Sequence, residues 1–229
     1  MSEQQKDDTS GKLRILAKKL IHAREKERKR ISRELHDSIG SGLTAIRFAL
    51  ERKLEEFGNE PCRKKTCIED ILDMLHTVSS EVSRISKNLH PAILEDLGLC
   101  AAVRSHCRQF CEFYPDLDIH QEMNLDESGI TDELKTLIYR IIQEALSNVA
   151  KHSGADKARI SIRQDSSRIA LSISDNGCGF DVGNQLRESP ADSGFGLFSI
   201  IERTELFGGT SRIESAPEKG TYIQAVWPL

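Results

Sequence analysis

The chain has 229 residues, 38% of them hydrophobic and 30% charged, with a net charge of −4. That length suits one large or two small domains, and that balance describes a globular protein with a substantial helical share. The acidic balance argues against a dedicated nucleic-acid binder, and apolar runs of only a few residues provide neither a membrane span nor a signal peptide, so a cytoplasmic protein is expected.

Residues 1–11 are polar and are expected to be disordered. From Lys12, the apolar positions Leu13, Leu16, Leu20 and Ala23, then Ile31, Leu35, Ile39, Ile46, Leu50 and Phe57, predict one long helix with a charged middle. A helix of that length implies coiled-coil pairing. Gly58-Asn59-Glu60-Pro61 supplies a turn. A second helix carries Ile71, Leu75, Val78, Val82, Ile85 and Leu89 in alternating steps of four and three. The two helices form a hairpin, and a homodimeric four-helix bundle is the simplest closure of its apolar seam. The basic run Arg24–Arg33 is interleaved with Glu25 and Glu27 and followed by Glu34, which predicts a charge-laced helix face rather than a nucleic-acid patch. His36 follows the seam residue Leu35 and should project outward. A neutral exposed imidazole is a competent nucleophile, and the adjacent Asp37 can hold one ring N–H so that the other nitrogen attacks. A lone histidine on a charged helix is usually only a solvated side chain, so this reading depends on the residues downstream.

The six cysteines, at positions 62, 67, 100, 107, 111 and 178, contain no Cys-x-x-Cys pair and are expected as buried fillers or inert thiols. His106, Cys107, Cys111 and His120 match no zinc-ligand spacing. From Ile130 to Lys151, Leu134, Leu137, Ile138, Ile141, Ile142, Ala145, Leu146 and Val149 keep the rhythm of an amphipathic helix. Glu144, Asn148 and Lys151 or His152 fall along its polar stripe, presenting a carboxylate, an amide oxygen and a cation to one ligand. The amide oxygen suits Mg²⁺, the carboxylate can orient a nucleophile, and the cations suit phosphate. The alternating strand Ile169–Ser174 ends in Asp175-Asn-Gly177-Cys-Gly179. A carboxylate there can accept from an exocyclic amine, and the glycines let backbone approach a flat base. Gly194-Phe-Gly196-Leu197 precedes a helical stretch, 198–207, closed by Gly208-Gly209, so free N–H groups near its start can meet phosphate oxygens. Neither a P-loop nor a dinucleotide-binding glycine fingerprint occurs. Each cluster alone is a weak signal; their order makes a nucleotide pocket.

These residues resemble a known family. Glu144 to His152 resembles the N box, Asp175 to Gly179 the first glycine box, Gly194 to Leu197 the second, and Gly220-Thr221 the closing Gly-Thr element of the ATPase superfamily that unites histidine kinases, DNA gyrase, mismatch-repair ATPases and the heat-shock chaperone ATPase. The segment from Glu27 to Gly40 resembles the phosphoacceptor helix of the nitrate-sensor-like (NarL-type) subfamily of bacterial histidine kinases, and Leu89 to Leu99 fits its joining segment. The resemblance implies an α helical-hairpin dimerisation domain over 12–93, a four-helix bundle as the dimer, followed by an α/β (α+β sandwich) Bergerat-type ATPase domain over 94–229. It implies ATP and Mg²⁺ as cofactors and His36 as acceptor of the γ-phosphoryl group. Asp37 would help activate His36, Glu144 would assist at the reacting centre, and Asn148 would hold the metal. Lys151 and His152 would neutralise charge, Asp175 would meet the adenine amine, and Gly177, Gly179, Gly194, Gly196, Leu197 and Thr221 would complete the nucleotide site. A mobile lid over Asp181–Ser193 and a hinge over Leu89–Leu99 are also implied. The phosphoryl group would pass to an Asp of a response regulator with a helix-turn-helix output. Ser41 stands where the family often carries Gln, which bears on phosphatase activity and not on kinase activity. The chain could be a soluble kinase or the cytoplasmic part of a longer receptor. A competing reading, a non-catalytic ATP-binding dimeric module, is disfavoured by the intact Glu144, Asn148, Asp175 and glycines.

Overall fold

The computed structural model describes residues 3–55, 63–89, 92–185 and 195–229. The chain divides into two compact units, Met1–Ala92 and Ile93–Leu229.

The first unit is helical. Helix α1 (Glu3–Glu34), a π-helical segment (Leu35–Gly40) and α2 (Ser41–Glu55) run on without a break, and α3 (Arg63–Leu89) packs beside all three. The expected turn at Gly58-Asn59-Glu60-Pro61 lies outside the described residues. Helix α1 is described from Glu3, within the stretch 1–11 that the sequence reading expects to be disordered. That stretch contains Glu, Gln and Lys and no proline, so extending an existing helix backward adds one hydrogen bond per residue without a new nucleus. The charge-laced face is also present: Arg30 donates from Nε to Glu27 at 2.9 Å and pairs with Glu34, and Arg28 pairs with Glu25. Where α1 meets α3, Ser32 and Ser86 bond reciprocally, each hydroxyl donating to the other's carbonyl oxygen at 3.0 Å.

The second unit is a two-layer α/β sandwich. Its elements are α4 (Ala92–Asp96), which begins at the last residue of the first unit, then α5 (Gly98–Phe113), β1 (Asp118–Asn124), α6 (Asp132–Asn148), a π-helical turn (Val149–Ser153), β2 (Lys157–Gln164), β3 (Arg168–Asp175), α7 (Val182–Gln185), α8 (Phe195–Leu206), β4 (Thr210–Ser215) and β5 (Thr221–Pro228). The strands form one sheet in the order β1-β2-β3-β5-β4, with β1 and β2 parallel and the other pairs antiparallel. A parallel pair needs a crossover, and α6 provides it. Alternate strand residues point to one face: Ile160 and Ile162 on β2 stand opposite Ile173 and Leu171 on β3, which face Ile223 and Ala225 on β5. These side chains are buried with Leu99, Val103 and Cys107 of α5 and Ile138, Ile141, Ile142 and Leu146 of α6. The period-2 pattern of the strands and the period-3.6 pattern of the helices therefore meet in a single core.

The stretch Leu89–Leu99, expected as a hinge throughout, belongs to this core from Ile93 onward. Leu94 and Leu99 are buried, and the Leu97 amide donates to the Ile93 carbonyl at 2.9 Å. Glu127 closes the free end of α5, its carboxylate accepting from the Leu99 amide at 2.6 Å and the Cys100 amide at 2.9 Å. A carboxylate at a helix start is favoured both by the free amides and by the helix dipole. Gly98 has φ +83°, and a Cβ there would run into the Glu127 carboxylate, so the turn into α5 requires glycine.

Candidate functional site

Helix α6 starts at a Thr131 cap, whose hydroxyl accepts from the Leu134 amide at 3.3 Å, and buries Leu137, Ile138, Ile141, Ile142, Ala145 and Leu146. Glu144 and Asn148 are half-buried, one turn apart, on the flank of this buried face. The expected helix ran to Lys151; instead α6 gives way after Asn148 to the π-helical turn, which carries Lys151 and His152 exposed. Such a turn inserts one residue and re-aims the side chains beyond it, a device frequent at functional sites.

Asp175 ends β3, and its register partner on β5 is Thr221. The acidic residue and the closing Gly-Thr element, 46 residues apart in sequence, are thus cross-strand neighbours. Asp175 Oδ1 accepts the Gly177 amide at 2.9 Å, which folds the loop back on the strand end. The Cys178 amide donates to the Ser153 carbonyl at 2.8 Å, and the Cys178 thiol to the His152 carbonyl at 3.3 Å, joining the glycine loop to the turn that carries Lys151 and His152. A side chain at Gly177 would collide with Ser153. Gly179 has φ +60°, and a Cβ there would strike the Ala216 carbonyl oxygen in the β4–β5 connection. The glycines are required in this place by close backbone approach, in addition to any space they leave for a base.

Three residues outside the expected set organise this loop. Ser215 accepts the Phe180 amide at 2.9 Å, donates to the Gly220 carbonyl at 2.8 Å and lies 3.3 Å from the Thr221 hydroxyl. Asn176 accepts the Lys157 amide at 3.0 Å and donates to Asp156 at 2.6 Å. Ser153 supplies the carbonyl that holds Cys178. Only Asn176 lay within a motif; Ser215 carries no signal beyond ending a strand shortly before Gly220-Thr221.

Helix α8 begins at Phe195, earlier than the expected Phe198, so Gly196 and Leu197 lie in its first turn, where backbone N–H groups have no helical partner. Leu197 packs against the core. Gly194 and positions 186–193 of the expected lid lie outside the described residues. The described start of that lid is α7, with Asp181 accepting the Gly183 amide at 2.8 Å. His36 and Asp37 belong to the other unit, both exposed on the π-helical segment Leu35–Gly40. No group of His, Cys, Asp and Glu among the described residues is arranged to hold a metal, so the cluster of His106, Cys107, Cys111 and His120 forms no zinc site there.

Two family models match the chain: "Histidine kinase" over residues 27–94 and "Histidine kinase-, DNA gyrase B-, and HSP90-like ATPase" over residues 133–229. The first spans the helices that carry His36; the second spans the sheet and α6. The chain belongs to the histidine kinases, in their nitrate-sensor-like type. Among curated relatives of this histidine-kinase core, sensor histidine kinase MctS of Rhizobium johnstonii is 35% identical over 95% of this chain and 46% of its own length. Oxygen sensor histidine kinase NreB of Staphylococcus carnosus is 36% identical over 94% of this chain and 60% of its own. The chain therefore spans about half the length of the curated relatives it matches. The histidine kinase domain of the Erythrobacter litoralis EL346 blue-light activated kinase overlays 81% of the chain at 14% identity with a TM-score of 0.48.

Proposed function

We propose that this kinase core transfers the γ-phosphoryl group of ATP to its own His36 and then to an aspartate of a response regulator. The observation that carries the reading is the convergence of Asp175, Thr221 and the Asn148-to-His152 segment around one glycine loop, in a chain that also presents an exposed His-Asp pair. The donor set fits a Mg-nucleotide. One Asp175 oxygen is committed to the Gly177 amide, and the other keeps lone pairs for an exocyclic amine. Asn148 offers a hard amide oxygen beside the exposed Lys151 and His152, the combination a metal-bound polyphosphate requires. Mg²⁺ at Asn148 would supply charge neutralisation across the phosphates.

Lys151 and His152 offset the remaining phosphate charge, and the free amides in the first turn of α8 face oxygens that would otherwise be hydrated. Glu144, one turn before Asn148, orients the attacking group. Asp37 holds one ring N–H of His36. The other ring nitrogen forms the P–N bond as the bond to the bridging oxygen breaks, and ADP departs with that electron pair. In the second reaction the P–N bond breaks as a regulator carboxylate forms an acyl phosphate. Little covalent help is needed, so positioning carries most of the task and is worth roughly 7–11 kcal/mol.

The protein acts as a homodimer in this reading. Leu16, Leu20, Met74 and Val78 on the helical unit are 48–72% exposed, a surface that a second copy would bury as a four-helix bundle. No described helix is long and apolar enough to cross a membrane. We place the core in the cytoplasm, where ATP and the regulator are found, and expect a helix-turn-helix output on that regulator.

The test is incubation with γ-labelled ATP and Mg²⁺. Wild type should take up acid-labile, base-stable label, while His36→Gln and Asn148→Asp take up none. Label retained in His36→Gln would defeat the assignment.

A further inference from the structure

Ser32 and Ser86 are the only buried residues among the described residues of the helical unit, at 7% and 9% exposure. They lie 54 positions apart on α1 and α3. Ser32 Oγ donates to the Ser86 carbonyl, Ser86 Oγ donates to the Ser32 carbonyl, both at 3.0 Å, and the two hydroxyl oxygens stand 2.9 Å apart. Ser86 lies in the last turn of α3, where helix carbonyls lack an intrahelical partner, so the Ser32 hydroxyl satisfies one of them. Small side chains let two helix backbones approach closely, and a buried reciprocal bond is satisfied in one axial and rotational register only. A slide or roll of α1 by a fraction of a turn would break both bonds in a buried place.

The location of the pair gives it a consequence. His36 stands four residues, one turn, beyond Ser32, and the helix changes to π geometry at Leu35, between them. A π-helical segment is rare and interrupts the α-helical register, so the side chains beyond it are turned relative to those before it. Downstream, Ile39 and Ile46 are 44% and 51% exposed, so among the described residues of one copy no buried apolar side chain near His36 fixes its rotation. The serine pair is a buried point, one turn before His36, at which the acceptor helix is tied to its neighbour by hydrogen bonds.

We propose that Ser32 and Ser86 are positioning residues for the transfer: their reciprocal bond sets the rotational register of the acceptor helix and thereby the direction in which His36 faces. The inference rests on His36 being the phosphoacceptor. It also implies that a signal arriving along α1 acts on His36 by making or breaking this pair.

The experiment is a double-mutant cycle on the full chain, with Ser32→Ala, Ser86→Ala and the double variant. Rates of label uptake from γ-labelled ATP are measured beside the KM for ATP, the dimer fraction and the thermal midpoint. Alanine keeps the close approach and removes only the bonds. Each single variant and the double variant should lose about tenfold in kcat, equal to roughly 1.4 kcal/mol, with KM for ATP and dimer fraction unchanged. The non-additivity is the signature, because either substitution alone already releases the register. Unchanged kcat in a folded double variant, additive losses, or a change confined to KM would each overturn the proposal. If the double variant does not dimerise, the two single variants carry the same test through kcat against KM. Label that wild type places on a residue other than His36 would sink the acceptor reading itself, whereas label on His36 at equal rates in all four proteins would sink only the serine pair.

Discussion

The ATPase unit builds a closed core of large apolar side chains, Leu99, Ile138, Ile160, Leu171 and Trp227 each at most 1% exposed, and leaves only a few such as Leu97 and Phe113 outside. The helical unit carries them outside, with Leu20 at 72%, Met74 at 70% and Phe48 at 59%, and buries two serines instead. A sheet paired by register and covered by helices completes its core within one chain. Two helices side by side cannot, because each has an apolar stripe and only one neighbour to place it against. In the proposed reading the nucleotide site therefore sits on a scaffold that is complete alone, while His36 sits on one that a second copy would complete and that can be adjusted from outside.

The harshest way to break this comparison is to charge the exposed stripe. Met74→Glu should weaken dimerisation by about 100-fold or more, since an unpaired charge would be buried at the interface. Label uptake should fall with it, and ATP binding should stay at the wild-type value; sedimentation at a series of concentrations and nucleotide titration measure both. A monomer already present in wild type would contradict closure of the stripe by a second copy, and lost ATP binding in the variant would mean that the two units are not as independent as their cores suggest.

Glycine-to-alanine changes sharpen the contrast at smaller cost. Gly179→Ala forces a side chain into φ +60° and against the Ala216 carbonyl, which should destabilise the ATPase unit by about 1–3 kcal/mol and weaken ATP binding. Gly42→Ala, in α2 with open space around it, should stabilise the helical unit by about 0.5–1 kcal/mol. Denaturant unfolding of the two variants should show opposite signs.

The smallest effect is pH-dependent and confined to the ATPase unit. His106, packed against the rings of Phe110 and Tyr139 with its Nε2 unpaired, is held by burial down at about 4, below the ordinary 6.5. The unfolded chain then binds the extra proton between those values, so stability is full above about 6.5 and falls as pH drops toward 4. His106→Phe should flatten that part of the profile, as urea midpoints at pH 7 and pH 5 would show; an unchanged slope would contradict the assignment.

Much of this architecture was legible in the residue pattern because it is local. The rhythm of Leu137, Ile138, Ile141 and Ile142 announced α6, and the alternation before Asp175 announced β3. The glycines of the first box were legible as a loop, but not the reason for them, since Ser153 and Ala216 approach from other elements. The same holds for the Glu127 cap on α5, the Ser215 node and the Ser32–Ser86 pair: hydrogen bonds between residues distant in sequence leave no period to read. The π-helical turns were invisible because one inserted residue barely disturbs a hydrophobic rhythm.

The most direct measurement is to map the labelled residue by digesting ATP-treated wild type at alkaline pH and sequencing the phosphorylated peptide. The account predicts phosphohistidine at His36, with none formed when Asn148→Asp empties the pocket. A phosphoryl group on Ser, Asp or another His, or bound ATP with no transfer from an intact dimer, would contradict it.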